Sequence, residues 1–238
     1  MKLSIKKAKL SLSVYLGSDS NGLLALTKEN ADIIEIIIAS DIRYRRKKTK
    51  KSFTIAFTNL KSIKRTTLED IIKTIAASNS TRTSLQDIKL FCDYILDSKN
   101  CFWNKLSEGD ISLPDDITNY VVRSGGKKHK SLASKICKYL SLWRYGKDNY
   151  FINDSIVRQV LPYYLLNYKV VKKHTLTNLD LYDYKDLHNL LDSLLKTINS
   201  KNKSSLSKHE LDHLLWYFYK NNIAILSIAE LLGKDAFL

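Results

Sequence analysis

The stretch Arg123–Leu161, RSGGKKHKSLASKICKYLSLWRYGKDNYFINDSIVRQVL, decides how the rest of the chain is read. It divides into a glycine-containing turn, a basic collar, a helix, an aromatic loop and a second helix that opens at a carboxylate. Gly125 and Gly126 allow the backbone positive φ values at the turn. Lys127, Lys128, His129 and Lys130 crowd positive charge at the start of the following helix. Free backbone N–H groups there already favour an anion, and a phosphate would suit the place. Asp154 and Ser155 precede Ile156, Val157 and Val160, so one of the two is expected as the N-cap of the next helix. The plainest reading makes Gly-Gly a loop, the lysines a solvated patch and Asp154 only a cap.

Composition narrows the field around this stretch. The chain has 238 residues, enough for one large domain or a domain plus a lobe with a real core. Hydrophobic residues make up 44 %, which excludes a disordered protein, and only 2 prolines and 7 glycines favour helices. A net charge of +15 points to nucleic acid or an anionic membrane surface as partner. Cys92, Cys101 and Cys137 show no CxxC spacing, and their odd number argues against a disulfide framework, so a reducing cytoplasmic setting is expected. No apolar run approaches the ~18–20 residues of a membrane span. MKLSIKKAKL lacks the uninterrupted apolar run of a signal peptide.

Along the chain, alternation over residues 10–16 and at Phe53, Ile55 and Phe57 predicts two strands, a small β element near the N-terminus. Thr27 can cap a segment over Ala31–Asp41 whose isoleucines are too many for one face; it is a buried helix or a buried strand. Arg43–Lys51 carries seven basic residues in nine, a loop that stays solvated or lies along phosphates. Thr66-x-x-Glu69 reads as a capping box, and Ser84 opens a helix with Leu85, Ile88, Phe91 and Ile95 on one face. Cys101-Phe-Trp103 is an aromatic cluster that reads as core rather than as a base-stacking platform. Ser112-Leu-Pro114 starts the helix that would form the first arm of a hairpin around Gly125-Gly126. After Asp154 a helix is expected to run toward Leu165, with Pro162 limiting or kinking it. Residues 168–186 read as loop with short helical turns, Leu187–Ile198 as helix and Asn199–Ser207 as a polar linker. Two last helices are expected over 208–220 and 222–232.

The order of parts resembles the helix-hairpin-helix DNA glycosylase superfamily. Ser131-Leu-Ala-Ser-Lys135 through Tyr150-Phe-Ile-Asn-Asp154-Ser-Ile-Val-Arg158 is similar to a bacterial branch distantly related to 8-oxoguanine DNA glycosylases. Leu211-Asp-His-Leu-Leu-Trp216-Tyr-Phe-Tyr219 resembles that branch's closing helix. The resemblance covers roughly residues 115–220. It implies a mainly α, two-lobed helical bundle, with an N-terminal lobe over 1–110 and the hairpin and C-terminal helices over 111–238. It implies excision of a modified base from double-stranded DNA, in base-excision repair or in defence against phage with modified DNA. No cofactor, metal or membrane partner is expected, and a monomer is.

On this resemblance Asp154 is the catalytic carboxylate, and Lys135, nineteen residues before it, is the candidate for a Schiff-base lysine. Gly125, Gly126, Lys127, Lys128, Lys130 and Ser131 would bind DNA. Two departures stand out. Aligning Ala133-Ser134 with the family puts Ser131 where its lysine stands, with Lys130 a third option, and Ser124-Gly-Gly126 replaces a Gly-hydrophobic-Gly hairpin. The chemistry suits a carboxylate at a helix N-terminus. Loss of the base leaves an oxocarbenium-like sugar, and an anion there stabilises it or activates a water. The base must first be flipped from the duplex into a pocket. Tyr139, Trp143 and Asn153 are the pocket candidates, with Tyr150 and Phe151 close by in sequence.

Two alternatives compete. One is a non-catalytic DNA-binding module on the same scaffold. The other is a zinc hydrolase, because His209-Glu-Leu-Asp-His213 matches H-E-x-x-H, with two histidines on one helical face and Glu210 as base. Against it, Ser207-x-x-Glu210 is equally a capping box, Asp212 charges a position such motifs leave uncharged, and only Glu230 and Asp235 follow as carboxylates. A chance match is expected.

Overall fold

Helix starts and stops follow local chemistry, and the structure, a computed structural model, describes residues 16–19, 23–40, 63–78, 82–172 and 182–220. These residues are mainly α-helical. In chain order the helices are α1 (Lys28–Ser40), α2 (Arg65–Ser78), α3 (Leu85–Leu96), α4 (Phe102–Glu108), α5 (Leu113–Arg123), α6 (Lys130–Tyr145), α7 (Ser155–Asn167), α8 (Tyr184–Asn202) and α9 (Lys208–Lys220). An isolated antiparallel bridge joins Ser18 and Leu24. The expected strand at 53–57, the basic loop at 43–51 and the helix at 222–232 lie outside the described residues, as does the expected strand at 10–16 except for Leu16. Among the described residues no helix is long and apolar enough to cross a membrane.

The described residues fall into two units. One comprises 63–78, 82–154 and 182–188; the other comprises 16–19, 23–40, 155–172 and 189–220. The expected boundary at 110/111 falls inside the first unit. Its core explains why: Leu68, Ile72, Phe91, Ile95, Phe102 and Leu106 are buried in one cluster with Ile117, Val121, Ile136 and Leu140. Those apolar faces on either side of residue 110 pack into that one cluster.

Two local expectations shift, at α2 and α8. α2 begins at Arg65, so Thr66 lies inside the helix and Glu69 pairs with Arg65 at 3.3 Å instead of closing a capping box. α8 starts at Tyr184 and runs to Asn202, absorbing both the end of the expected loop and part of the polar linker. α7 carries Pro162 in its interior and continues to Asn167. Buried Val157, Val160, Leu161, Tyr164 and Leu165 surround that proline, so packing outweighs the lost backbone bond.

In the second unit the isoleucine-rich segment is a helix, α1. Ile34 and Ile37 are buried while Ile36 is 56 % exposed, so only one face is core. Thr27 Oγ accepts the Asn30 N–H at 3.2 Å, as its capping role requires. The Asn30 amide donates to the Gly17 and Ala25 carbonyls at 2.8 and 2.7 Å and accepts the Gly17 N–H at 2.9 Å, tying the incoming chain to α1. Tyr164 on α7 donates to the Leu24 carbonyl at 2.9 Å, and Phe218 on α9 meets Tyr164 edge-on.

In the first unit α5 ends in a Schellman motif. Gly125, at φ 85°, donates to the Val122 carbonyl at 3.0 Å, and Gly126 to the Val121 carbonyl at 2.9 Å. The two glycines serve different ends. A Cβ on Gly125 meets nothing within 4 Å, so only its positive φ favours glycine; a Cβ on Gly126 would lie 2.7 Å from Asp87 Oδ1 and Val121 Cγ1 and 2.8 Å from Leu90 Cδ1. Gly125→Ala is expected to cost about 1 kcal/mol from backbone strain alone. Gly126→Ala should cost about 2 kcal/mol and shift the α5–α6 turn, which urea denaturation of the two variants side by side will separate.

Candidate functional site

The hairpin arm is built around Asp87. Ser84 is the N-cap of α3: its hydroxyl oxygen accepts the Asp87 N–H at 3.0 Å and its hydroxyl donates to Asp87 Oδ2 at 2.7 Å. Asp87 in turn accepts the Lys127 N–H at 3.0 Å and contacts His129 Nε2 at 3.0 Å. Burial works against its charge, but the Ser84 hydroxyl, His129 and the Lys127 amide outweigh it and hold the carboxyl at about 2. His129 therefore faces the protein and makes no side-chain cap on α6. The basic collar thus splits. Lys127 and Lys128 are exposed, whereas Lys130 Nζ donates to the Tyr182 carbonyl at 2.9 Å.

α6 holds the chain that leaves it. Ser134, Lys138 and Ser141 lie at i, i+4 and i+7 on one face of the helix, and all three are buried. Ser134 Oγ accepts the Asn153 N–H at 2.9 Å and donates to the Ser131 carbonyl at 3.0 Å. Lys138 Nζ reaches the Tyr150 carbonyl at 3.2 Å and Asp148 Oδ1 at 3.5 Å. Ser141 donates to the Lys147 carbonyl at 2.9 Å. Segment 147–153 is thereby held along the helix by its own backbone. Tyr184 seals it from the other side: its hydroxyl accepts the Phe151 N–H and donates to the Phe151 carbonyl, both at 3.0 Å.

The end of that segment delivers Asp154 to Lys135. Lys135 Nζ lies 3.1 Å from Asp154 Oδ2, and Lys135 is only 4 % exposed. Asp154 directly precedes α7. The two residues that resemblance singles out as chemical partners are therefore ion-paired. Ser131, one turn before Lys135 on the same face, is half-buried and uses its carbonyl to receive Ser134.

The aromatic and pocket candidates separate by burial. Tyr139 and Trp143 are half-buried, stacked on each other with centroids 5.1 Å apart and planes 17° from parallel, and their inner edges rest on the core of this unit. Tyr150 and Phe151 are fully buried and offer no stacking surface. The Tyr150 hydroxyl donates to the Asp110 carbonyl at 3.2 Å. Asn153 is 1 % exposed, which places it among the residues that hold the loop. Arg144, which no sequence motif marks, lies 4.4 Å over the Trp103 ring.

The H-E-x-x-H segment sits at the start of α9. Glu210 does what a capping box prescribes: Oε2 accepts the Ser207 N–H and hydroxyl at 2.8 and 2.9 Å, and Ser207 Oγ accepts the Glu210 N–H at 3.2 Å. Its other oxygen pairs with Lys28. Burial raises the Glu210 carboxyl, but Lys28 and Ser207 together bring it below the usual carboxylate range. The general-base role is thus taken up by structure. His213 Nδ1 hydrogen-bonds Glu35 on α1, a carboxylate 174 residues before His209 that no motif spacing points to.

No family model, curated protein sequence or solved structure matches the chain.

Asp87 leads to a pH prediction. Its carboxyl is lowered from an ordinary 3.8 to about 2 on folding, so its contribution is complete above pH ~4 and disappears as pH falls through 2. Shifts of this size correspond to about 2 kcal/mol. Urea midpoints measured from pH 5 down to 2 should fall more steeply for the natural chain than for Asp87→Asn, and the two curves should converge at the acid end.

Proposed function

We propose that this chain is a DNA glycosylase, which flips a modified base out of double-stranded DNA and cleaves its N-glycosidic bond. It leaves an abasic site, in base-excision repair or in defence against phage whose DNA carries modified bases. The observation that carries the reading is the ion pair of Lys135 and Asp154, at 3.1 Å, in the unit whose hairpin turn exposes Lys127 and Lys128. The fold supports it at the level of class: helix, glycine turn, helix, loop and carboxylate come in the order the resemblance requires. The net charge of +15 suits a polyanionic partner.

In this mechanism the bond from C1′ to the base nitrogen breaks and its electron pair leaves with the base. Asp154 stabilises the positive charge left on the sugar and takes the proton of the water that attacks C1′. Lys135 acts as a positioning residue. Buried at 4 % exposure and 3.1 Å from Asp154, Lys135 fixes the orientation of the carboxylate, and base release without strand cleavage is the chemistry expected. Lys127 and Lys128 would meet phosphate oxygens, and Tyr139 with Trp143 is the half-exposed stack on the hairpin helix that could receive a base. The burial of Lys135 also favours the second reading, a non-catalytic DNA-binding module, in which the pair serves only to hold the loop.

An abasic-site assay separates the two. DNAs carrying 8-oxoguanine, uracil, alkylated bases or glucosylated cytosine, together with native phage DNAs, are incubated with the purified protein and treated with or without hot alkali. Base release that requires alkali for strand scission is expected on one substrate class, reduced on the order of 10²–10³-fold in Asp154→Asn with DNA affinity kept. Binding without abasic sites on any of these DNAs would leave the non-catalytic module. Separately, Lys127→Ala with Lys128→Ala should weaken binding to all sequences alike. The salt slope of log K should become shallower by roughly 2.

A further inference from the structure

We infer that Glu35, His209 and His213 form a site for a divalent transition-metal ion, zinc by the character of its donors, that staples α1 to α9. The three side chains each place one ligand atom within 4.8 Å of the other two. His209 and His213 stand at i and i+4 on α9, with ring centroids 4.1 Å apart, so their donors share a face. Glu35 answers from α1: the oxygen that bonds His213 Nδ1 lies 3.9 Å from His209 Nε2. Four-coordinate zinc binds imidazole nitrogen and carboxylate oxygen at ~2.0–2.2 Å, which spaces its ligand atoms about 3.4 Å apart. The 3.9 Å between Glu35 and His209 is within about 0.5 Å of that spacing.

Donor chemistry selects the ion. Two imidazoles and one carboxylate suit zinc and its first-row neighbours, whereas calcium and magnesium prefer all-oxygen shells. The charge around the site also permits a cation. Lys28, the lysine of α1, is paired with Glu210 and lies 3.0 Å from Asp32. The ligands themselves are 27–39 % exposed, enough for an ion to enter from solvent and to keep a water as fourth ligand. At that exposure a histidine–carboxylate bond by itself contributes little to stability, while a metal bridging two helices contributes its binding energy to the fold. Glu210 is not a member of the site. It is occupied by Ser207 and Lys28, so this arrangement differs from a zinc hydrolase even though it uses both histidines of the H-E-x-x-H segment.

Neither the glycosylase reading nor DNA takes part in the test. The full chain is stripped with a chelator, dialysed and titrated with Zn²⁺, with bound metal counted, and with Co²⁺, with its visible ligand-field bands followed. One equivalent of zinc is expected, together with a rise in Tm and cobalt bands of a four-coordinate ion. Affinity should drop by more than the roughly 10–100-fold typical of an outer-shell loss in His209→Ala, His213→Ala and the near-isosteric Glu35→Gln. Glu210→Gln should lower Tm through the lost cap yet still bind one equivalent. Should the alanine variants fail to fold, Glu35→Gln decides, with helix content checked by circular dichroism. Absence of stoichiometric binding by the natural chain, binding that survives Glu35→Gln undiminished, or binding lost in Glu210→Gln would each overturn the proposal.

Discussion

A buried backbone must have its polar groups met, and in this protein one helix meets those of the segment that matters most. Ser134, Lys138 and Ser141 on α6 engage the backbone of Asn153, Tyr150 and Lys147 in turn. Burying a lysine that far is costly unless its charge and hydrogens are matched; the Tyr150 carbonyl and Asp148 match them for Lys138. Because the segment is held at three points along the helix, Tyr150 and Phe151 can sink into the core. Asp154 then arrives beside Lys135 with little freedom left. The position of the candidate carboxylate is a by-product of satisfying amides and carbonyls several residues earlier.

The hairpin is subject to a complementary constraint. Its turn has no room for side chains at Gly126 because Asp87, Val121 and Leu90 crowd there, and Asp87 uses that proximity to hold the amide of Lys127 and the ring of His129. That carboxylate, itself fastened by Ser84, turns His129 inward, and the Tyr182 carbonyl takes Lys130. The charges left outside are those of Lys127 and Lys128, on a turn whose inner side is closely packed.

Much of this is legible in the sequence where the signal is local. Gly125-Gly126 marks the end of α5, Pro114 its first turn, and Ser207-x-x-Glu210 the cap of α9, since each depends on neighbours within four residues. Lys135 and Asp154 stand out because their separation is close to that of a family's chemical pair, although no physical rule in the sequence puts them in contact. The features that stay hidden depend on partners far along the chain. Asp87 meets a turn forty residues on, Glu35 meets α9, and Tyr184 meets Phe151 across 33 residues. The row of Ser134, Lys138 and Ser141 is visible in principle, as polar residues at helical spacing on the face where apolar ones are expected. Ser84-x-x-Asp87 is another signal of the capping-box kind. That the apolar faces on both sides of 110/111 share one core is something composition does not reveal.

The Tyr184 clasp has a consequence for the order of events during synthesis. Segment 182–188 belongs to the unit that contains the hairpin, yet residues 155–172 of the other unit are made before it. Asp115 on α5 accepts the amides of both Tyr184 and Lys185, at 2.7 and 3.3 Å, so the late segment docks at its first turn as well as through its ring. A ribosome releases the chain from its N-terminus, and units fold as they emerge. This one stays unsealed at Phe151 until the stretch beyond it has already left the tunnel. The nascent chain therefore passes through an interval in which both units are begun and neither is closed.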